Sequence, residues 1–273
     1  MELGNLSLAL VGAGKMGGAM LAGWLEMGLD ASKVTVIDPG QNDELKAFAA
    51  NKGFTLAASP EGIASPQIVV VAVKPQMIDK VLPTLTSLVG SDTVVVSVAA
   101  GKRAVDFRRH LGEETLVVRA MPNTPAQVGR GMTAAFADEK ISQEMRDVVA
   151  TLLSSMGRFV WVQSEDLIDS VTAISGSGPA YVFHLVEAMA KAGEKLGLDA
   201  ETAGILARQT IVGAGELLNQ SELSASTLRE NVTSPGGTTA AALAVLMAEE
   251  GGFPELVEKA AIAARDRSIE LSA

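Results

Sequence analysis

The most constraining stretch is near the N-terminus, where the apolar run Leu6-Ser-Leu-Ala-Leu-Val11 leads into Gly12-x-Gly14-x-x-Gly17. The run predicts a buried strand. Met16, Met20, Leu21, Trp24 and Leu25 then recur at helical spacing, with Gly28 as a C-terminal stop. A strand that turns sharply into a helix through this triplet makes an anion site. Gly12 allows the tight turn, Gly14 lets a pyrophosphate approach the backbone, and Gly17 lets the helix pack close to the strand. The helix N-terminus, with Ala13, Lys15 and Met16 around Gly14, offers free N–H groups and a partial positive charge to phosphates. The triplet alone is a weak signal. Its place between strand and helix, with an acid about 20 residues on, makes it a dinucleotide fingerprint.

That acid is Asp38, at the end of a second strand, Lys33 to Ile37. There a carboxylate accepts from an adenine ribose 2′-OH and repels a 2′-phosphate, so the local reading leans toward NAD over NADP. Asp38 would equally serve the Asp-Pro-Gly turn that it begins. Further on, Ile68 to Val73 is an apolar, β-branched run that predicts a central parallel strand, ending at Lys74-Pro75. Ligands of open α/β sheets bind beyond the carboxyl ends of the strands, so Val73, Lys74 and Pro75 are expected to border the cofactor. Thr93 to Val98 is another such run, ending in Ala99-Ala100-Gly101, small enough for a flat ring or for close strand–helix packing. Leu116 to Val118 leads to Arg119 and the stiff loop Met121-Pro-Asn-Thr-Pro125, a candidate wall carrying Asn123. Arg119 would suit either an anion or a structural ion pair. Strands at Gly131 to Ala137 and Arg158 to Val162, around a helix from Ser142 to Met156, complete a doubly wound Rossmann-type sheet.

The pattern changes after Gln163. From Ser164 on, the sequence predicts helices only: 167–174, 179–196, 200–219, 225–231, 239–249 and 254–271. The expected organisation is therefore an α/β dinucleotide-binding domain over 1–163 and an all-α domain over 164–273. The helices are rich in Ala, Leu and Met, enough to bury more than one face, which points to association between copies of the chain. Two glycine-rich loops interrupt them, Ser175-Gly-Ser-Gly-Pro179 and Asn231-Val-Thr-Ser-Pro-Gly-Gly-Thr-Thr239. Each places hydroxyls and free N–H groups at a helix start. That arrangement is an anion site suited to a small carboxylate, or ordinary helix capping by Ser175, Ser177 or the threonines.

Composition bounds the partners. The net charge of −10 argues against nucleic acid, and there are no cysteines for disulfides or a thiol nucleophile. With only His110 and His184, no histidine-based metal site is expected. The N-terminal residues do not read as a signal peptide and no apolar run reaches the ~20 residues of a membrane span, so the expectation is a cytoplasmic protein.

In order along nearly the whole chain, Val11-Gly-Ala-Gly-Lys-Met-Gly17, Ala72-Val-Lys-Pro75, Ser97-Val-Ala-Ala-Gly101, Met121-Pro-Asn-Thr-Pro125, Ser175-Gly-Ser-Gly-Pro-Ala180 and Val232-Thr-Ser-Pro-Gly-Gly-Thr-Thr239 resemble pyrroline-5-carboxylate reductase. The resemblance implies reduction of 1-pyrroline-5-carboxylate to L-proline with NADPH or NADH, the last step of proline biosynthesis. It implies a homodimer through the helical domain, often assembled into a decamer. It places Ser234, Gly237, Thr238 and Thr239 around the substrate carboxylate, with Thr239 near the ring nitrogen, and Ser175 in the same substrate site. Val73, Lys74, Ala100, Asn123 and Asn231 would lie along the cofactor, and Ser59 near its adenosine end. Asp38-Pro39 departs from members that carry Ser or Asn with a nearby Arg there. Hydride addition to a cyclic imine is mainly a matter of positioning and asks for neither a nucleophile nor a metal. A β-hydroxyacid dehydrogenase would need a lysine soon after the first glycine-rich loop, but none follows before Lys191. A nucleotide sensor would retain the fingerprint without needing the two polar loops.

Overall fold

The computed structural model describes residues 3–272. The chain divides into two compact units, one running through Gly176 and resuming at Ala264, the other Ser177–Ala263.

The first unit is built on an eight-stranded sheet in the order β3-β2-β1-β4-β5-β6-β7-β8. Its strands are β1 (Leu8–Val11), β2 (Val34–Ile37), β3 (Thr55–Ala57), β4 (Ile68–Val71), β5 (Val94–Ser97), β6 (Leu116–Met121), β7 (Gly131–Ala137) and β8 (Gly157–Trp161). β1, β4 and β5 are buried along their whole length, as the apolar runs require of strands covered on both faces. The helices of this unit are α1 (Lys15–Glu26), α2 (Asp43–Lys52), α3 (Ile78–Val81), α4 (Ala104–Leu111), α5 (Gln143–Ser154) and α6 (Leu167–Val171). One core joins α1 and α5 to the sheet through Met20, Leu21, Trp24, Val149 and Leu152. The opposite face packs on Ile78, Leu82, Leu85 and Phe107.

Two connections differ from simple strand–helix alternation. The chain crosses from β3 at one edge to β4 in the centre without a helix, through a segment broken by Pro60 and Pro66. β7 runs antiparallel to β6, because only the short 3₁₀ turn Thr124–Val128 joins them, too little chain for a parallel crossover. Parallel pairing resumes between β7 and β8 across α5.

The first compact unit runs on past Gln163. α6 packs against β6 and β7 and therefore belongs to the first unit, followed by a wide π-type turn, Thr172–Gly176. The last turns of α11 (Phe253–Ser272) also return to this unit, where Ser268 Oγ donates to the buried Asp169 carboxylate at 2.6 Å.

The second unit holds α7 (Gly178–Lys195), α8 (Ala200–Gln220), α9 (Ala225–Asn231), α10 (Thr238–Leu246) and the first part of α11. α7 and α8 pack as a hairpin; a Cβ on Gly193 would lie 3.1 Å from Ala203 Cβ, so Gly193 permits the close crossing. Otherwise these helices are open: none of α7, α9 or α10 contains a buried residue, and Phe183, Leu196, Ile205, Leu217 and Val245 are each more than half exposed. Among the described residues no helix is long and apolar enough to cross a membrane.

Of the two roles open to Arg119, the structure shows the ion pair. Arg119 is 3% exposed on β6, and its Nη1 donates to Glu165 Oε1 at 3.1 Å. The same carboxylate oxygen accepts from the Ala104 amide that starts α4, at 2.7 Å. Removing one partner of a buried pair costs more than the pair contributes. Arg119→Met is therefore expected to destabilise the protein by about 3 kcal/mol, read as a lowered midpoint in urea unfolding.

Candidate functional site

The connections leave β1 and β4 in opposite directions along the sheet, β1 toward β2 and β4 toward β5. This is the switch point at which doubly wound sheets bind ligands, beyond the carboxyl ends of the strands. A cavity of about 810 Å³ lies there, lined by Gly12 and Gly14 after β1, Asp38 and Pro39 after β2, Ser59 after β3 and Val73 and Lys74 after β4. Its size suits a ligand larger than a single substrate-sized ring.

The three glycines do different work. Gly12 has φ +92°, and a Cβ there would meet Val73 at 2.9 Å and the Ala72 carbonyl at 3.0 Å. A Cβ on Gly17 would lie 2.1 Å from the Gly12 carbonyl oxygen, so α1 packs hard against the turn. Gly14 is different. Its φ of −66° is open to any residue, and a Cβ there would meet nothing within 4 Å. Neither the backbone nor the packing demands glycine at 14, and the space it leaves opens on the cavity. Gly14 is also the N-cap of α1 and no side chain caps that helix, which leaves its first amides for a bound anion. The residues present thus fit a dinucleotide pyrophosphate.

Asp38 accepts two amides. Its Oδ1 takes the Gly40 N–H at 2.8 Å, closing the turn, and its Oδ2 takes the Ala13 N–H at 2.7 Å, reaching across to the glycine loop. The turn role is therefore real, and Asp38 lines the cavity as well.

The remaining sequence candidates of this unit lie off the cavity wall. Ala13 contributes its amide to Asp38. Lys15 is exposed in the first turn of α1, and Met16 packs its side chain against the core. Pro75 opens the 3₁₀ turn Pro75–Met77, and Ala100 is half-buried after β5. Asn123 and Ser175 are brought together: Asn123 Nδ2 donates to Ser175 Oγ at 3.2 Å and to its carbonyl at 3.3 Å, while Asn123 Oδ1 accepts the Met132 amide at 2.9 Å. Asn123 is thus a joint between the proline loop, β7 and the π-type turn. Cavity residues that the sequence reading missed include Pro60, Glu61, Met77, Lys80 and Thr84. They lie on segments without periodicity, and only the strand order shows that these segments meet.

In the helical unit, Asn231, Ser234, Gly237, Thr238 and Thr239 fall within one turn and helix start. The Gly237 amide donates to the Ser234 carbonyl at 3.0 Å, and Gly236 takes φ +69°. Gly237 is the N-cap of α10, again with no side-chain cap. Ser177, at the N-cap of α7, makes no capping bond either. Ordinary side-chain capping therefore accounts for neither glycine-rich loop; the start of α10 offers amides to an anion, whereas at the start of α7 Pro179 has no N–H and the Ala180 amide donates to the Ser177 carbonyl at 3.0 Å.

The fold and cavity define a dinucleotide-binding protein of the doubly wound kind, carrying a second, helical unit. Residues 7–101 match the family model described as NADP oxidoreductase, coenzyme F420-dependent, and residues 165–271 match the model for pyrroline-5-carboxylate reductase dimerisation. A pyrroline-5-carboxylate reductase of Haemophilus influenzae is 41% identical, covering 97% of each chain. The structure of a pyrroline-5-carboxylate reductase from Coxiella burnetii superposes with a TM-score of 0.90 at 36% identity, over 98% of this chain and 99% of that one. That of the Plasmodium falciparum enzyme with NADP bound gives 0.79 at 30%, again over 98% and 99%. The chain belongs to the pyrroline-5-carboxylate reductase family. It is an NAD(P)H-dependent oxidoreductase whose dimerisation region marks it as a homo-oligomer.

The contrast between the glycines is testable. Gly14→Ala is expected to fold with a loss under about 1 kcal/mol, yet to weaken NADH binding at least about tenfold because its methyl enters the phosphate space. Gly17→Ala is expected to lose about 1–3 kcal/mol of stability through overpacking. Thermal melts beside NADH fluorescence titrations separate the two outcomes.

Proposed function

We propose that the chain reduces 1-pyrroline-5-carboxylate to L-proline, the last step of proline biosynthesis, with Thr239 as the residue that meets the reacting end of the substrate. The uncapped start of α10 carries this reading, because it offers amides and two threonine hydroxyls in a turn built by Ser234 and Gly237.

The division of labour follows from the chemistry. The dihydronicotinamide supplies the hydride when it is bound. Gly12, Gly14 and the first amides of α1 would hold the pyrophosphate, Ser59 the adenosine end, and Val73, Lys74, Pro75, Ala100 and Asn231 the length of the molecule. The α10 amides at Thr238 and Thr239 would hold the substrate carboxylate, with Ser234 and Gly237 shaping the turn and Ser175 adding a hydroxyl. The Thr239 hydroxyl would hydrogen-bond the ring nitrogen and orient the imine carbon, with the proton drawn from solvent or from the substrate's own equilibrium. Asn123 acts in this scheme through Ser175, whose position it sets.

The open faces of the helical unit support a homodimer formed through that unit, and the same reading extends to a decamer of such dimers. It also includes a cytoplasmic location and a small-molecule substrate without a nucleic-acid partner, the last supported by the net charge of −10.

The test is oxidation of NAD(P)H dependent on pyrroline-5-carboxylate, followed by absorbance. Protein that binds NAD(P)H without this turnover would sink the proposal. Thr239→Ala is expected to lower kcat/KM about a hundredfold with dinucleotide affinity nearly intact, while Thr239→Ser keeps most of the activity. Equal losses of affinity and turnover would mean that Thr239 only holds the fold.

A further inference from the structure

We propose that Asp38 makes the enzyme NADH-selective by acting as a fixed charge, its carboxylate clamped by two backbone amides beside the place an adenosine 2′-phosphate would take. The inference rests on the dinucleotide reading of the cavity and goes beyond it in naming which dinucleotide is preferred and what enforces the choice.

An acid at the end of β2 discriminates against a 2′-phosphate only if it cannot move aside. A free aspartate changes rotamer at small cost and turns its charge to solvent. Asp38 is held: Oδ2 accepts from Ala13 at 2.7 Å and Oδ1 from Gly40 at 2.8 Å. Rotation would break both bonds and leave both amides without their partner. Pro39 stiffens the chain directly after it, and Gly40 lies so close that a Cβ there would sit 3.3 Å from Oδ1. A carboxylate has about four acceptor sites, so these two bonds leave capacity for a ribose hydroxyl. The clamp also explains why the residue is Asp. Two amides point at two oxygens, whereas Asn or Ser presents one.

Among the described residues, no arginine lines the cavity beside Asp38 to pair with a 2′-phosphate. The first turn of α2 carries Asp43 and Glu44 ahead of Lys46, the first cation after β2. The neighbouring loop after β3 adds Glu61 to the cavity wall. The cavity's lysines, Lys74 and Lys80, both come from the segment after β4. β4 is two strands from β2 in the sheet, about 10 Å away at the usual spacing.

The test uses the full-length protein and dihydronicotinamide fluorescence, with no pyrroline-5-carboxylate present. NADH is expected to bind about tenfold or more tightly than NADPH. In Asp38→Asn that preference should fall to within about threefold of unity, because the charge is gone. The Asn variant also leaves one amide without an oxygen, which lowers the melting temperature, and the NADH:NADPH ratio reports the lost charge together with the altered acceptor for the ribose 2′-hydroxyl. A ratio below about threefold in the unmodified protein overturns the proposal. So does a ratio that survives Asp38→Asn, since Asp38 would then only close the turn. Binding of neither dinucleotide would overturn the cavity assignment and this proposal with it. Tight NADH-selective binding without turnover of pyrroline-5-carboxylate would leave Asp38's role standing and remove the substrate reading instead.

Discussion

The site depends on one close approach, that of α1 to the end of β1. Gly17 brings the helix so near the Gly12 carbonyl that no side chain fits between them. That contact aims the helix N-terminus along the carboxyl edge of the sheet, because a helix displaced by even a methyl group would present its first amides elsewhere. Parallel pairing of β1 with both β2 and β4 then carries the ends of those strands to the same edge, in the same register. Asp38, Val73 and Lys74 reach the cavity for this reason. Their positions follow from hydrogen-bonded ladders anchored at Leu8–Val11 and owe little to the loops themselves.

The Asp38 clamp adds a second constraint at the same place. Through Ala13 it ties the turn after β2 to the glycine loop after β1. The turn after β2 and the glycine loop after β1 are therefore one hydrogen-bonded unit. A change in one is felt by the other without any intervening motion of the sheet. The same bond reconciles the two roles open to Asp38 in the sequence. Turn closure leaves other lone pairs of the carboxylate free, so the proposed ribose contact would not compete with it.

Much of this was legible in the sequence, and the part that was not has a common cause. Buried parallel strands announce themselves as apolar, β-branched runs, and Ile68 to Val71 and Val94 to Ser97 fall inside the runs expected. The helices after Gln163 lie close to their expected ranges because their signal is local. Pairings across the sheet or between distant segments leave no such mark. Nothing near Arg119 points to Glu165, nothing near Asn123 points to Ser175, and nothing near Asp169 points to Ser268. The antiparallel turn between β6 and β7 was hidden for a related reason. A proline loop is visible in sequence, but the direction of the strand after it is decided by how little chain the loop contains. The unit boundary likewise follows from where α6 packs, and a helix does not declare its partner in its own composition.

The two units differ most in what they bury. The first closes cores on both faces of its sheet. The second has little of its own to close: Ala203 and Ala207 are buried, while large apolar side chains on α7, α8 and α10 face outward. α10 is the extreme case, with no charged residue from Thr238 to Leu246 and no buried one either. A helix apolar on all sides is stable when covered on more than one side, and its own unit does not supply that cover. Association of copies through this region, in keeping with the family's dimerisation segment, removes the discrepancy. The helix that needs the cover is also the one whose first turn carries Thr238 and Thr239. The order of that turn and the association of chains are then one physical problem, because the packing that stabilises α10 is what holds its N-terminal amides in a fixed direction.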